Sequence, residues 1–389
     1  MTKRLGILTG GGDVPGLNPA MKEVVLYALE NGYEVIGIRT GWGGLLNYNL
    51  DEPSTHEYYT INLTRNHVRA IDRTGGTFLH SSRTNPQNVR KNEIPAFLMN
   101  STLGKSIDEK GTMDYTDHIL QVLDHLGINA LITIGGDDTL SYSSRLSEEG
   151  FPVVAIPKTM DNDVFGTDYC IGFSTAITRS VDLITQLRTT VGSHERIAIF
   201  ELFGRYSGET SLFSAYLSGA DRAVIPEVHF DIEKLAAFLH EDKRNCPSNY
   251  SILTISEGAI MEGGELTQTG PADAYGHRKL GGIGEIVAEK IKELTKQHIL
   301  YQKFGYVMRS GAPDSLDRMV AMAFGTIAIQ HILRGEYGRM TALQDGKYTT
   351  VPIGTVLEGK KIVDVDAFYD KENYIPRIKD FISVPMFLT

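Results

Sequence analysis

The chain has 389 residues, enough for two domains or one large one at roughly 150 residues per domain. Apolar residues make up 41% of it and charged residues 22%, a globular composition that excludes fibrous and largely disordered classes. The formal net charge of -10 argues against a general binder of nucleic acids or of anionic membranes. Any anionic ligand must therefore be held by local groups.

The two cysteines, Cys170 and Cys246, cannot form a disulfide framework and lack the Cys-x-x-Cys spacing of structural zinc sites and redox motifs. Near the N-terminus the apolar run 5–8 is too short for the hydrophobic region of a signal peptide. No stretch reaches the about 18 apolar residues of a membrane span. We expect a soluble cytoplasmic protein that binds neither nucleic acid nor membrane.

Short apolar runs rich in β-branched residues alternate with helical patterns, which is typical of βαβ units with buried parallel strands. In chain order, strands are predicted at 5–9, 34–39, 130–134, 153–156, 197–202, 250–256 and 305–309. Helices are predicted at 18–30, 116–126, 174–189, 232–242, 283–296 and 315–333. We expect an α/β fold of two doubly wound lobes with mainly parallel sheets.

A glycine cluster, Gly10-Gly11-Gly12, joins the first predicted strand to the first predicted helix. Open α/β sheets bind ligands at the carboxyl ends of their strands, and glycines there let backbone N–H groups approach phosphate oxygens. The alternative is a tight turn without a ligand. Pro15 breaks the Rossmann fingerprint, and Gly16-Leu17-Asn18 stands where a Walker loop needs Gly-Lys-Ser/Thr, so both standard nucleotide loops are excluded.

Two further predicted strands end in acidic segments. The segment Gly135-Gly136-Asp137-Asp138 offers glycines for a phosphate chain and carboxylates for Mg²⁺, although acids at a helix start also serve as caps. The segment 157–163 offers two carboxylates two positions apart, a lysine and a hydroxyl. Unless this segment is a plain turn, these groups suffice for a general base, an orienting neighbour and a cation that neutralises transferred phosphate.

Four arginines and one glutamate lie beside glycines or predicted strands: Arg83, Arg196, Arg205, Arg309 and Glu257. A guanidinium group near a strand end is suited to bidentate capture of phosphate. Each arginine alone is more often a solvated surface charge. Their recurrence beside glycines in an acidic protein favours an anion site.

Seven motifs follow one another along the chain: Gly10-Gly11-Gly12-Asp13-x-Pro15-Gly16-x-Asn18, Gly75-Gly76-Thr77, Gly135-Gly136-Asp137, Pro157-Lys158-Thr159-x-Asp161-Asn162-Asp163, Gly172-Phe173-x-Thr175-Ala176, Glu201-x-x-Gly204-Arg205-x-x-Gly208 and Gly305-Tyr306-x-x-Arg309. In this set and order, from about residue 4 to about residue 330, the chain resembles the phosphofructokinase family. The resemblance implies a two-lobed glycolytic enzyme that transfers a phosphoryl group to the 1-hydroxyl of fructose 6-phosphate with Mg²⁺. It also implies a donor lobe of residues 1–172 plus about 310–345 and a sugar-phosphate lobe of 173–309 plus about 346–389.

The match to the family's motifs implies roles for single residues. Asp161 would accept the hydroxyl proton, supported by Thr159 and Asp163, and Asp137 would bind Mg²⁺. The implied catalytic set also includes Lys158 and Arg205, and the implied donor set is Gly11, Gly12, Arg83, Gly136, Asp138 and Lys158. The implied sugar-phosphate set is Thr159, Met160, Asp161, Arg196, Phe203, Gly204, Arg205, Glu257, Tyr306 and Arg309. Glu257 would contact the sugar hydroxyls. Arg196 and Arg309 would hold the 6-phosphate, one of them from a neighbouring subunit of a homodimer or homotetramer.

One departure from ATP-using members concerns the donor. Those members usually have glycine at the positions of Asp138 and Lys158, whereas pyrophosphate-using members have aspartate and lysine. A carboxylate at 138 repels the α-phosphate of ATP by roughly 4 kcal/mol at about 4 Å and an effective dielectric near 20. Lys158 supplies the positive charge that compact pyrophosphate needs. We expect pyrophosphate as donor, with an ATP-dependent enzyme as the alternative.

Two further departures concern binding groups. The stretch Leu300-Tyr301-Gln302-Lys303 stands where members generally carry another arginine, so we expect Lys303 to replace part of the sugar-phosphate grip or that part to be lost. Lys22 and Leu26 stand where allosteric bacterial members carry effector-binding arginines, so we expect little or no nucleotide regulation.

Other classes of function predict different residues. A non-catalytic sugar-phosphate-binding module would lack the base or the metal carboxylate, yet Asp161 and Asp137 are both present. A nicotinamide enzyme is disfavoured by Pro15. The acceptor beyond a phosphorylated ketose, with sedoheptulose 7-phosphate as one alternative, and the physiological direction stay open.

Overall fold

The computed structural model describes residues 3–108, 111–269, 275–276 and 278–377. The strands in these ranges are β1 (Lys3–Thr9), β2 (Tyr33–Ile38), β3 (Thr60–Leu63), β4 (Lys105–Ser106), β5 (Met113–Asp114), β6 (Ala130–Gly135), β7 (Val153–Pro157), β8 (Ile197–Leu202), β9 (Arg222–Val224), β10 (Ser251–Ser256), β11 (Gln268–Thr269), β12 (Lys279–Leu280), β13 (Ile299–Lys303), β14 (Arg339–Gln344), β15 (Lys347–Pro352), β16 (Tyr369–Asp370) and β17 (Ile375–Pro376). The helices are α1 (Leu17–Glu30), α2 (Trp42–Asn47), α3 (Pro53–Tyr59), α4 (Arg65–Val68), α5 (Thr116–His125), α6 (Asp137–Glu148), α7 (Phe173–Ser193), α8 (Glu209–Ser218), α9 (Ile232–Asn245), α10 (Ile283–Thr295), α11 (Ser315–Arg334) and α12 (Val365–Phe368).

The larger sheet runs in the order β15-β14-β7-β6-β1-β2-β3, and its strands are parallel except the edge strands β3 and β15. Leu5 of β1 lies between Val35 of β2 and Ala130 of β6, which fixes the register of the centre. Leu5 and Leu8 belong to different hydrophobic clusters on the two faces of the sheet. Burial on both faces explains why the central strands appear in the sequence as continuous apolar runs.

The smaller sheet runs in the order β13-β8-β10-β9, with all strands parallel. Its apolar side chains pack with those of α8, α9 and α10. The predicted α/β fold with mainly parallel sheets is therefore confirmed. The predicted strand at 305–309 is wrong, because β13 ends at Lys303 and Gly305–Arg309 form a 3₁₀ turn in which Gly305 has a φ of +50°.

Strand β15 pairs with β14 in the larger sheet. The division that assigned residues from about 346 onward to the sugar-phosphate lobe is therefore wrong for this strand, and residues 378–389 of that lobe lie outside the described residues. The rest of the division stays a prediction. Of the helices in the described part of the chain, none has both the length and the apolar character that crossing a membrane requires.

The strand order of the larger sheet reverses between β1 and β6, since the chain continues from β1 to β2 on one side and from β6 to β7 on the other. Such a reversal leaves a crevice at the carboxyl ends of the strands, where open α/β sheets bind ligands. The carboxyl ends of β8 and β10 in the smaller sheet contribute residues to the same crevice. The fold therefore brings the predicted motifs of both sheets to one place.

Candidate active site

The loops that follow strands of both sheets meet around one cavity of about 150 Å³. Its walls contain these residues predicted from the sequence: Gly11, Gly12, Arg83, Gly136, Asp137, Asp138, Lys158, Thr159, Met160, Asp161, Asp163, Phe203, Arg205, Glu257 and Arg309. A wider pocket of about 600 Å³ shares the glycine loop and the two arginines Arg83 and Arg309 with this cavity. Groups suited to phosphate and groups suited to proton transfer are therefore adjacent.

The glycine loop after β1 is shaped by close neighbours. Gly11 has a φ of +78°, and its N–H donates to the carbonyl of Ser82 at 2.9 Å, so this N–H is committed to the loop. A Cβ atom at Gly12 would lie 2.5 Å from Nη1 of Arg309. Glycine at 12 is therefore what lets the Arg309 guanidinium approach the loop, and Gly12 is the residue of the pair left to offer a backbone N–H to phosphate.

Lys158 is a buried cation between two glycine loops. The residue is only 3% exposed. Cβ atoms built at Gly11 and Gly136 would lie 3.2 and 3.7 Å from its Nζ, which places the ammonium between the loops after β1 and β6. A phosphate group lying on either loop would find a compact positive charge already in position.

The charges around Lys158 have opposing effects on its pKa. Burial lowers the pKa of Lys158 to about 8, and the positive charges of Arg309 and Arg83 lower it too, whereas Asp138 and Asp163 raise it. The lysine is therefore still charged at neutral pH. An anionic ligand that pairs with it would stabilise the charged form further.

Asp161 and Asp163 form a pair of carboxyls after β7, of which Asp163 is buried and Asp161 half-buried. Burial raises the pKa of both, and the charge of Asp161 adds to the rise for Asp163, which reaches about 7. Oδ2 of Asp161 accepts the N–H of Arg205 at 3.4 Å, while its buried Oδ1 has no hydrogen-bond partner within the described residues. A buried acceptor without a partner costs free energy, so Asp161 is ready to accept a hydrogen bond or a proton from a ligand.

Contacts on the side away from the cavity fix the turn that contains Asp161 and Asp163. Asn162 has a φ of +55°, and its side-chain amide donates to Glu209 at 2.7 Å. The Lys361 ammonium pairs with Glu209 at 2.9 Å, and the Lys361 N–H donates to the carbonyl of Asp163 at 3.1 Å. These contacts turn the Asn162 side chain away from the cavity and leave Asp161 and Asp163 to face it.

Asp137 begins helix α6 and lines the cavity. Its carboxylate forms an ion pair with the ammonium of Lys360, which lies in the segment after β15. That ammonium is also 5.4 Å from the ring centre of Tyr206. Burial lowers the pKa of Lys360 to about 8. The carboxylate that the sequence assigned to Mg²⁺ is therefore balanced by a cation of the chain itself.

The donor atoms around Asp137 fit a metal ion that arrives with phosphate. Within the ranges that the structure describes, no group of three or more His, Cys, Asp and Glu side chains is arranged to hold a metal ion. Sites for Mg²⁺ in phosphoryl transfer commonly supply one or two carboxylates, and phosphate oxygens and water complete the octahedron. One carboxylate facing a phosphate-sized cavity meets that requirement.

Two arginines approach the cavity from the smaller sheet. The Arg309 guanidinium lies 4.7 Å from the ring centre of Tyr306, and its Nε is 3.5 Å from Oδ1 of Asp13. Arg205 donates a side-chain N–H to the carbonyl of Arg278 at 2.9 Å. Both guanidinium groups are thus anchored while they line the cavity.

Glu257 closes the cavity after β10 and is 7% exposed. Burial raises its pKa to about 7, and the charge of Asp161 also raises it. Lys303, which the sequence offered as a replacement for the missing arginine, forms an ion pair with Glu201 instead, at 2.6 Å. The Lys303 ammonium is 3.9 Å from Glu257.

Three predicted site residues lie outside the cavity wall. Arg196 precedes β8 at its amino end, whereas the cavity lies beyond the carboxyl end, roughly 20 Å away at 3.3 Å per residue. Gly204 has a φ of +137° and shapes its loop, since a Cβ there would lie 2.7 Å from the Ser207 carbonyl oxygen. Tyr306 lines the wider pocket and is 69% exposed. One chain does not bring Arg196 to its own cavity.

The cavity also contains residues that the sequence reasoning missed. Val14, Thr139 and Tyr206 line it, and each lies within two residues of a predicted motif residue, a proximity that could have identified them. Lys360 is not part of the cavity wall but pairs with Asp137, which is. Nothing in the sequence indicated this contact, because Lys360 follows the last predicted helix by more than twenty residues.

A comparison with protein-family models matches residues 4–332 to the model described as Phosphofructokinase. The chain belongs to the phosphofructokinase family. This confirms the resemblance inferred from the seven motifs. Among solved structures, a pyrophosphate-dependent phosphofructokinase from Nitrosospira multiformis matches this phosphofructokinase with a TM-score of 0.77 at 17% identity, covering 97% of this chain and 89% of that one, which supports the fold.

Curated relatives of this phosphofructokinase include both donor types. The pyrophosphate–fructose 6-phosphate 1-phosphotransferase of Amycolatopsis mediterranei is 37% identical over 373 residues, covering 95% of this chain and 98% of the relative. ATP-dependent 6-phosphofructokinase 3 of Streptomyces coelicolor is 35% identical over 368 residues, covering 94% and 98%. Since the two identities are nearly equal, the choice of donor has to be argued from the residues of the cavity.

Proposed function

We propose that this phosphofructokinase transfers a phosphoryl group from pyrophosphate to the 1-hydroxyl of fructose 6-phosphate in a reversible, Mg²⁺-dependent reaction. One observation carries the choice of donor, namely the buried Lys158 ammonium between two glycine loops with Asp138 in the same wall. The lysine supplies charge within reach of a compact diphosphate. The carboxylate opposes a third phosphate beyond it.

The donor is held by the groups of the larger sheet. Lys158 and Arg83 neutralise pyrophosphate oxygens, and Gly12 and Gly136 let the phosphates lie close to the backbone. Asp137 would hold Mg²⁺, which would supply positive charge to neutralise phosphate oxygens. Binding of the metal at Asp137 requires Lys360 to give up its ion pair.

The transfer forms one bond and breaks one. The sugar 1-oxygen forms a bond to a phosphorus atom of pyrophosphate, the bond from that phosphorus to the bridging oxygen breaks, and its electron pair leaves with inorganic phosphate. Asp161 accepts the hydroxyl proton at Oδ1, the atom without a partner in the described residues. Arg205 and Arg83 stabilise the charge that develops on the transferred group.

The acceptor is held by groups from the smaller sheet. Glu257 accepts hydrogen bonds from sugar hydroxyls, and Arg309 binds the 6-phosphate. Arg196 completes this grip in a neighbouring subunit of a homodimer or homotetramer, which accounts for its distance from the cavity of its own chain. The donor and sugar-phosphate lobes keep the predicted division, with β15 moved to the donor lobe. The cytoplasmic location stays a prediction from the cysteine content.

The test is a coupled assay of fructose 1,6-bisphosphate formation from fructose 6-phosphate and Mg²⁺, run once with pyrophosphate and once with ATP. We expect turnover with pyrophosphate and a kcat/KM at least a hundredfold lower with ATP, from roughly 4 kcal/mol of repulsion reduced by relaxation. Comparable or higher kcat/KM with ATP would assign the chain to the ATP-dependent enzymes. A parallel reaction with sedoheptulose 7-phosphate tests the acceptor.

A further inference from the structure

Three charged side chains from adjacent strands of the smaller sheet meet beside the acceptor end of the cavity. Lys303 at the end of β13 lies opposite Glu201 of β8 in the sheet register. Its ammonium is 2.6 Å from Oε1 of Glu201 and 3.9 Å from Oε2 of Glu257, which follows β10. The lysine therefore stands between a carboxylate behind the cavity and a carboxylate in its wall.

Glu201 is a fixed anchor. The residue is fully buried, and its carboxylate accepts the N–H of Gly284 at 2.9 Å and the hydroxyl of Tyr301 at 3.0 Å. It also lies at the start of α10, where helix N–H groups favour a negative charge. Because an unpaired buried charge is strongly unfavourable, the Glu201 carboxylate holds the Lys303 ammonium in place.

The chain leaves room for this ammonium. Gly281 has a φ of +123°, and a Cβ there would collide with Nζ of Lys303. The Lys303 side chain is 36% exposed, so its stem lies partly in solvent while its charged end is held by Glu201. Reaching out to a sugar phosphate would leave the buried Glu201 charge without its counter-ion. Lys303 is thus badly placed to replace the missing arginine.

Glu257 needs a cation nearby to act as a hydrogen-bond acceptor. Its surroundings include two further carboxylates, Asp161 and Glu201, which disfavour its charged form, and two cations, Lys303 and Arg205, which favour it. Burial acts in the same direction as the carboxylates and raises the pKa of Glu257 to about 7. Loss of either cation would raise the pKa of Glu257 further and increase the protonated fraction at neutral pH.

We propose that Lys303 is a positioning residue for the sugar. Held in place by Glu201, Lys303 keeps Glu257 ionised and oriented towards the sugar hydroxyls. This role rests on the proposed function, in which Glu257 contacts fructose 6-phosphate. It differs from direct binding of the 6-phosphate, because Lys303 acts through Glu257.

The first test replaces Lys303 with methionine, which keeps the length of the side chain and removes its charge. Lys303→Met raises KM for fructose 6-phosphate roughly 10- to 150-fold, the range for a charged hydrogen bond of about 1.5–3 kcal/mol, while KM for pyrophosphate stays within twofold. Lys303→Arg restores most of the loss. Lys290→Met, at an exposed position of α10, is the matched control and leaves both KM values unchanged.

Two further readouts separate positioning from a purely structural role. The acid limb of kcat/KM for fructose 6-phosphate moves to higher pH in Lys303→Met. In that variant, adding Glu257→Gln costs less than it costs in the wild type, because a larger fraction of the carboxyl is already protonated. An unshifted pH profile together with fully additive losses would overturn the inference.

Removal of Lys303 leaves the Glu201 charge buried, so a double variant is needed. Glu201→Gln with Lys303→Met removes both charges, and we expect this variant to fold. If Lys303 acts on Glu257, part of the defect in fructose 6-phosphate KM remains, and it is smaller than in Lys303→Met because loss of the Glu201 charge lowers the pKa of Glu257. Full recovery of the normal KM in the double variant would show that Lys303 serves only Glu201. Titration calorimetry with fructose 6-phosphate and no donor checks binding directly. Wild-type protein that transfers no phosphate would overturn the proposed function, whereas active wild type with an unaffected Lys303→Met would overturn this inference alone.

Discussion

Replacing Lys158 with methionine should weaken pyrophosphate use and stabilise the fold at the same time. The ammonium lies between two glycine loops, and the residue is 3% exposed. A hydrogen bond to a charged group contributes about 1.5–3 kcal/mol, so loss of one contact to pyrophosphate lowers kcat/KM for the donor roughly 10- to 150-fold. KM for fructose 6-phosphate should change little, because the acceptor is held from the smaller sheet.

The stability effect follows from the proton on Lys158. Burial lowers its pKa to about 8, below the value in the unfolded chain, so folding disfavours the charged form. At pH 7 this costs the native state on the order of 3 kcal/mol, which Lys158→Met removes. Between pH 8 and about 10.4 the folded protein has lost a proton that the unfolded chain still binds, and the cost declines. Wild type should therefore approach the variant in stability as pH rises through this window.

The assays are coupled kinetics with varied pyrophosphate and thermal unfolding at pH 7 and pH 10. We expect Lys158→Met to unfold at a higher temperature than wild type at pH 7, with a smaller difference at pH 10. The wild-type kcat/KM for pyrophosphate should fall as pH rises above about 8. A variant with pyrophosphate kinetics within twofold of wild type, or one that unfolds at a clearly lower temperature at pH 7, would refute the assignment of Lys158 as a buried donor-binding cation.

Four further outcomes are expected. Asp161→Asn should lower kcat roughly 10²- to 10⁴-fold with fructose 6-phosphate binding retained by calorimetry, and near-normal kcat would assign the base elsewhere. Asp138→Gly should raise kcat/KM with ATP in the coupled assay, and no gain would mean that the carboxylate does not exclude the longer donor. Lys360→Met should tighten Mg²⁺ binding at Asp137 about two- to fivefold in calorimetry without pyrophosphate, since it removes a competing ion pair, and weaker binding would contradict that competition. Arg196→Ala and Asp161→Asn proteins, unfolded and refolded together, should recover roughly a quarter of wild-type activity if sites are shared, and mixed dimers without activity would exclude the sharing.

The position of the site could be predicted because its residues follow buried strands. The apolar runs before Gly10, Asp137 and Lys158 identified β1, β6 and β7, and in a parallel sheet their carboxyl ends lie at one edge. Tyr306 and Val307 favour β structure and so predict a strand at 305–309. The positive φ of Gly305 instead ends the extended chain after Lys303.

Lys360 and Lys361 show what local patterns leave out. They lie in a segment without helical or strand periodicity, a pattern that predicts solvated surface charges. Their position depends on long-range contacts, namely a β-bridge from Lys360 to Val164 and the Lys361 N–H donated to Asp163. Because these contacts join parts of the chain almost 200 residues apart, local sequence patterns do not indicate them, and neither the cation that pairs with Asp137 nor the one that pairs with Glu209 could be found from the sequence.

The motifs specify which groups are present, and the fold decides how tightly each holds its proton. Lys158 on an exposed turn would keep an ordinary pKa, yet here burial and two arginines from distant parts of the chain, Arg83 and Arg309, lower it. For Asp161, burial and neighbouring charges oppose each other. Burial raises its pKa, and the positive charges of Arg309 and Lys158 lower it. An anionic donor that pairs with those cations weakens their pull on Asp161, so the carboxylate becomes a stronger base once the donor is bound. The proton affinity of Asp161 therefore depends on whether the donor site is occupied. The coupling acts through the charges of Lys158 and Arg309, which belong to different motifs.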